Sequence, residues 1–172
     1  MDAIIVYVGA FGFLFRHVLY ICGVLTGNEA VEYYGEVHQS QWNSNIHTIF
    51  MPFTTFGFFL AIPAILNLNK CKASILQNCV YLFYVMHFIR INLQVGLVFA
   101  LFYYIVLRCV KYYYRNNLKN ILIGLGISIV ALVIQETLGH QYGGDEPSRL
   151  EGVPNAIMYA NYYAVGNFLT WK

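Results

Sequence analysis

Apolar residues along this chain gather into long runs, roughly 3–25, 46–66, 74–89, 92–110, 118–138 and 153–171, separated by short polar connections. A helix needs about 20 residues to cross the hydrocarbon of a bilayer at 1.5 Å each. The runs 46–66, 118–138 and 153–171 reach that length. The first run carries Arg16 and His17 near its middle, and a central Arg costs about 2.5–3.5 kcal/mol on insertion scales. It can therefore lie in the interface or bend instead of spanning. The stretch 74–110, at 37 residues, is too long for one span, and Arg90, Asn92, Gln94 and Gly96 interrupt it. A hairpin of two shortish helices turning near Arg90 is expected; one long tilted helix would bury Arg90 at greater cost. The pattern predicts an all-α, polytopic membrane bundle of five to six transmembrane helices with a central helical hairpin, forming a single domain over 1–172.

Composition supports a lipid-covered molecule. The chain is 59% hydrophobic and 10% charged, with a mean hydropathy of +0.56, whereas soluble domains carry about 25% charged residues. A net charge of +2 and the absence of a basic arm argue against nucleic acid as a partner. Cys22, Cys71, Cys79 and Cys109 show no paired spacing and read as small buried or lipid-facing hydrophobes. The N-terminus has no basic leader and no small-x-small cleavage site, so a retained segment is expected. Tyr112-Tyr113-Tyr114 reads as an interfacial aromatic belt.

The hairpin decides sidedness. With it, the connections 26–45, 90–92 and 139–152 share one side; 67–73, 111–117 and the C-terminus share the other. Lys70, Lys72, Arg108, Lys111, Arg115 and Lys119 belong to the second side, which the positive-inside rule makes cytosolic. The first side then faces the lumen or exterior. It holds three histidines: His38 and His47 in the run His38-Gln-Ser-Gln-Trp-Asn43-Ser-Asn-Ile-His47-Thr-Ile-Phe-Met-Pro52, and His140 at the end of Gln135-Glu136-Thr-Leu-Gly139-His140. Without the hairpin, His47 and His140 would stand about 30 Å apart across the bilayer.

Imidazole is a common metal ligand and is costly to place near hydrocarbon without a partner. His38 and His47, nine residues apart, are half a turn out of phase on an unbroken helix, so a turn must separate them. Ser44 or Asn45 can cap a helix beginning at Ile46. That would put His47 in the first turn and Pro52 early enough to do little harm. Gly139 reads as a helix C′ residue or a close backbone contact. Glu136 lies four residues before His140, on the same face of an α-helix, where a carboxylate can fix the tautomer of a ligand. Gly143-Gly144-Asp145-Glu146-Pro147 forms an acidic turn. His87 sits inside an apolar run, either as a satisfied buried or pore-facing residue or as a fourth ligand.

These residues resemble the membrane 2-hydroxy fatty acid dioxygenase family of fungi and bacteria. The resemblance rests on His38, Asn43, His47 and Pro52, spaced His-x4-Asn-x3-His-x4-Pro, on the preceding Glu32-Tyr33-Tyr34, and on the later Gly139-His140. Pro147, the stretch Ala160-Asn161-Tyr162-Tyr163 and the central helix pair add to it, so that it covers about 30–170 and leaves 1–25 as an extra apolar segment. The chain departs from the family at Gln41, Asn161 and Asn167, and has Gly144 where the family has Glu. The resemblance implies an Fe(II)-dependent enzyme of the endoplasmic reticulum or bacterial membrane that uses O2 to shorten 2-hydroxy fatty acids by one carbon. It also implies that His38, His47 and His140 bind the metal, with Asn43, Glu136, Asp145 and Glu146 orienting ligand or substrate or supplying a fourth ligand. The partners expected are the bilayer, a fatty acyl substrate and O2. Two other readings stay open: a catalytically decayed lipid-binding or scaffold protein of the same fold, and a small transporter using His87, Arg90, Asn92 and Gln94, although no internal repeat supports the last.

Overall fold

The computed structural model describes residues 38–145 and 153–170. Residues 1–37, and with them the first apolar run, His17 and Glu32-Tyr33-Tyr34, lie outside the described residues, as do Glu146 and Pro147. The described residues form helices and no strand: α1 (Gln41–Ile65), α2 (Lys70–Ile91), α3 (Leu93–Tyr113), α4 (Leu118–Ile134) continued by a π-helical turn (Gln135–Gln141), and α5 (Val153–Thr170). Three of them are long and apolar enough to cross a membrane: Gln41–Ile65, Leu93–Tyr113 and Leu118–Gln141. α2 and α5 have the length but are too polar to join that set. The expectation that 153–171 forms a span of its own is not carried by its composition: three Asn and a Gly dilute its apolar content.

The hairpin closes at Asn92, an extended residue (φ −150°, ψ 116°) that ends α2 and starts α3. Its backbone N–H donates to Phe88 O, and its side-chain oxygen accepts from the N–H groups of Gln94 and Val95 at 3.0 and 3.1 Å. A cap bond of this kind satisfies donors that a helix start leaves orphaned. One turn later, a Cβ on Gly96 would run into the backbone of Ile89, so this glycine lets the two arms meet directly beyond the turn. Arg90, Asn92 and Gln94 are exposed around the bend instead of lining an interior path.

Packing is inside-out relative to a soluble bundle. On α4 the buried residues are Asn120, Gly124, Ser128 and Ala131, while Leu122, Ile129, Val130 and Val133 face outward. Lipid accepts those outer side chains, and small residues inside let helix backbones approach. The α1–α4 seam is the most extensive in the fold. At its centre a Cβ on Gly57 would penetrate Ser128 Oγ and the Gly124 carbonyl oxygen, and Ser128 Oγ donates to Thr54 O at 3.0 Å. Tyr112 and Tyr113 are exposed as an aromatic belt would be, but Tyr114 is buried and its hydroxyl donates to Leu68 O at 2.6 Å. It pins the α1–α2 and α3–α4 connections together at the end away from the histidines.

α5 lies against α1 and runs antiparallel to it. Near the N-terminus of α1, Gln41 donates to Asn167 Oδ1 at 2.8 Å and Asn167 donates to Asn45 and Thr48. Deeper, Asn161 Oδ1 accepts from Thr55 and Tyr103. The C-terminal end of α5 thus sits at the histidine-bearing end, not at the opposite end as counting connections predicts. The polar side chains of α5 find these partners on α1 and α3, and that decides its direction.

Candidate metal centre

Ser40 caps α1: extended at φ −71°, ψ 126°, it accepts from Asn43 N through Oγ at 3.4 Å. The helix therefore begins five residues earlier than a cap at Ser44 or Asn45 would have it. His47 falls in the second turn, Pro52 lies well inside the helix, and the break separating His38 from His47 is at 38–40. Asn43 and His47, four apart on α1, project from one face, and both are buried. His38 approaches from the segment just before the cap.

The third imidazole comes from the far end of α4. There the helix widens to i→i+5 pairing over Gln135–Gln141, a rare geometry that shifts side-chain phase by about one residue per turn. Residues five apart now overlay, so Gln135, Gly139 and His140 are buried together and Glu136 is half-buried beside them. The hairpin and this turn bring the three histidines into one cluster. Their candidate ligand atoms all lie within 4.8 Å of one another, and His47 Nε2 stands 3.3 Å from His140 Nε2. The rings are mutually steep, at 78°, 71° and 85°, with centroids 4.9, 4.8 and 5.3 Å apart.

Asn43 and Asp145 brace the cluster. Asn43 Nδ2 donates to Asp145 Oδ2 at 2.7 Å and lies 3.4 Å from His140 Nδ1. Asp145 also accepts from the Ser40 N–H through both oxygens at 3.2 Å. It thus places its charge at the positive end of the α1 dipole, where an anion is stabilising. The chain returns to that position through Gly144, at φ +80°, a conformation costly for other residues. Gly139 makes the expected close backbone contact, since a Cβ there would sit 2.5 Å from Asn43 Oδ1. It lies inside the π-helical turn, however, and not past a helix end.

Two residues of this neighbourhood escape a reading of the sequence. Gln135 lies beside His47; its amide donates to Thr54 Oγ1 at 2.9 Å and to Ala131 O at 3.0 Å. Gln135 Oε1 and His47 Nδ1 are both buried without a hydrogen bond of ordinary geometry. Trp42 Nε1 donates to Leu138 O at 2.7 Å and ties the π-helical turn to α1. The available signal was polar residues inside an apolar run, but α-helical phasing points to Glu136 instead of Gln135. His87 does not join the cluster: it is buried against Phe83, Phe88 and Tyr159, which removes it as a fourth ligand.

A three-imidazole donor set suits a borderline transition metal. Metal–nitrogen bonds of about 2.1 Å set adjacent ligand nitrogens about 3.0 Å apart at right angles and about 3.4 Å apart in a tetrahedron. The 3.3 Å between His47 and His140 falls in that range, while the three ligand atoms together span up to 4.8 Å and would close by about 1.4 Å around an ion. The residues present therefore fit a metal ion; imidazoles alone do not select which one. Comparison with family models, with curated proteins and with solved structures yields no match for this chain.

Proposed function

We propose that this protein is an Fe(II)-dependent membrane dioxygenase that shortens 2-hydroxy fatty acids by one carbon with O2, acting in the endoplasmic reticulum membrane. One observation carries the proposal: His38, His47 and His140, remote in sequence, converge at the end of membrane-length helices. The resemblance of His38, Asn43, His47, Pro52 and Gly139-His140 to the dioxygenase family supplies the reaction.

His38, His47 and His140 would hold the metal. When bound, Fe(II) supplies the oxygen chemistry, with positions left open for O2 and for the carboxylate and hydroxyl of the substrate. The protein's own residues hold and orient. Asp145 fixes Asn43, Asn43 contacts His140, and Gln135 stands at His47; neighbours of this kind set ring orientation and tautomer. Glu136 is a further positioning candidate. By the positive-inside rule the Lys- and Arg-bearing end would face the cytosol and the histidines the lumen. There the acyl chain can lie among apolar helices while the headgroup reaches the cluster. The test is anaerobic reconstitution of the purified protein with Fe(II), followed by metal analysis and assay on a 2-hydroxy fatty acid. About one iron per chain and a product one carbon shorter are expected; a chain that binds no iron refutes the proposal.

One observation favours a second reading. At φ +80°, Gly144 occupies the position of the family's Glu in a conformation that Glu adopts only under strain. Asp145, which reaches the cluster through Asn43, is engaged in capping α1. A scaffold or lipid-binding protein of the same fold would tolerate that change. Replacing all three histidines by Ala without loss of cellular function would establish it.

A further inference from the structure

The end of the bundle away from the histidines holds a cavity of about 330 Å³ between the first turns of α2 and the last turns of α3. Lys70, Ser74 and Gln77 line it from α2, and Arg108, Lys111 and Tyr112 from α3, with Tyr114 closing it below. Three cations thus face one space, and among the described residues no carboxylate lines it. The imbalance runs through the sequence: residues 38–135 contain seven Lys and Arg and no Asp or Glu. Arg108 and Lys111, three apart, share a helix face, and like charges at that spacing repel. Lys111 donates to a neutral partner, Asn78 Oδ1, at 2.6 Å, which leaves its charge uncompensated. Lys70 and Arg108 are exposed and Lys111 is half-buried, so their charges stay hydrated, and together they present an attractive potential to an anion.

The surroundings identify the anion. Arg108 continues toward the middle of α3 through Ile105 and Leu101, which share its side of the helix and are 57% and 72% exposed. α3 is one of the membrane-length helices. A group bound at the cavity therefore has an open apolar track leading from it into the hydrocarbon. Phosphate suits the donors: Arg presents a planar fork, Lys a point charge, and Ser74 and Tyr112 supply hydroxyls. We propose that this cavity binds the phosphate of an anionic phospholipid, with its acyl chains lying along Ile105 and Leu101.

The test uses the purified full chain in neutral detergent, titrated with dioctanoyl phosphatidic acid, dioctanoylglycerol and inorganic phosphate. Wild type should bind phosphatidic acid in preference to both others. K70Q/R108Q/K111Q should weaken that binding about tenfold or more, the equivalent of one charge-assisted hydrogen bond. The charge-matched K72Q/R115Q/K119Q, altered outside the cavity, should bind as wild type does. Equal weakening in both triple variants would reduce the effect to bulk charge and overturn the proposal. Equal binding of the glycerolipid would overturn it as well, and equal binding of inorganic phosphate would overturn the lipid as source. Should the cavity triple variant fail to fold, R108Q and K70Q singly must each weaken binding, and their failure to do so overturns it.

Discussion

Gly139→Ala probes the contact that joins the two halves of the histidine cluster. The added methyl would lie 2.5 Å from Asn43 Oδ1, about 0.9 Å short of the 3.4 Å at which ordinary contact begins. Asn43 is fully buried and held by Asp145 at 2.7 Å, so its amide can yield only by giving up that bond. Overpacking of this size costs about 1–3 kcal/mol, against a gain of about 0.5–1 kcal/mol for Ala over Gly in a helix. The net expectation is a loss of about 1–2 kcal/mol. Two other glycines calibrate the result. Gly57→Ala strikes the Gly124 carbonyl oxygen, a backbone atom that cannot swing aside, and should lose more than Gly139→Ala. Gly126 is exposed on α4 with nothing within 4 Å of a Cβ, so Gly126→Ala should be neutral or slightly stabilising. Unfolding in SDS, followed by circular dichroism on protein in mixed micelles, ranks the three. Gly139→Ala should also lower metal content, because displaced Asn43 no longer braces His140, whereas Gly126→Ala should not. Gly139→Ala matching Gly126→Ala in both stability and metal content would refute the packing of Asn43 against the π-helical turn.

Other expectations test neighbouring links. His38→Ala, His47→Ala and His140→Ala should each abolish stoichiometric metal binding measured by elemental analysis, whereas His87→Ala should leave it intact and lower stability through loss of packing. Asp145→Ala removes the partner of Ser40 N–H and Asn43; it should cost about 1–3 kcal/mol and weaken metal binding about 10–100-fold, read by competition with a chelator. Protons compete with metal for imidazole nitrogen. Metal retention should therefore fall as pH drops, because each ring nitrogen that takes a proton stops being a ligand; retention that rises as pH falls would exclude ligation by imidazole. Asn92→Ala removes the acceptor for two N–H groups at the hairpin and should cost about 1 kcal/mol.

Features that depend on local chemistry were legible in the sequence. Arg90, Asn92 and Gln94 mark the hairpin because polar groups in the midst of a 37-residue, largely apolar stretch need water. That His47 and His140 share one end of the bundle follows from that hairpin alone. Features that depend on partners were not. Ser40, Ser44 and Asn45 are equally able caps, and Asp145, 105 residues away from Ser40, selects the first. The direction of α5 turns on whether Asn161 and Asn167 find partners on α1 and α3, which no periodicity records.

The π-helical turn is the sharpest case, because it changes which residue serves His47. An α-helix continued through His140 would place Glu136 on its face and turn Gln135 aside. The wider turn buries Gln135, whose amide hydrogens are already given to Thr54 and Ala131, so that only Oε1 remains for His47. The two atoms make no ordinary hydrogen bond in this geometry; drawn together around a metal, Gln135 Oε1 would hold the proton on Nδ1 and leave Nε2, the nitrogen facing His140, as the ligand. Gln135→Glu should therefore keep metal binding and raise ligand basicity. Gln135→Leu removes the acceptor and should weaken metal binding about 10–100-fold in a chelator competition, with the helices intact by circular dichroism. Gln135→Leu binding metal as wild type does, while Glu136→Gln loses it, would show that an α-helical phase, not the π-helical one, governs the site.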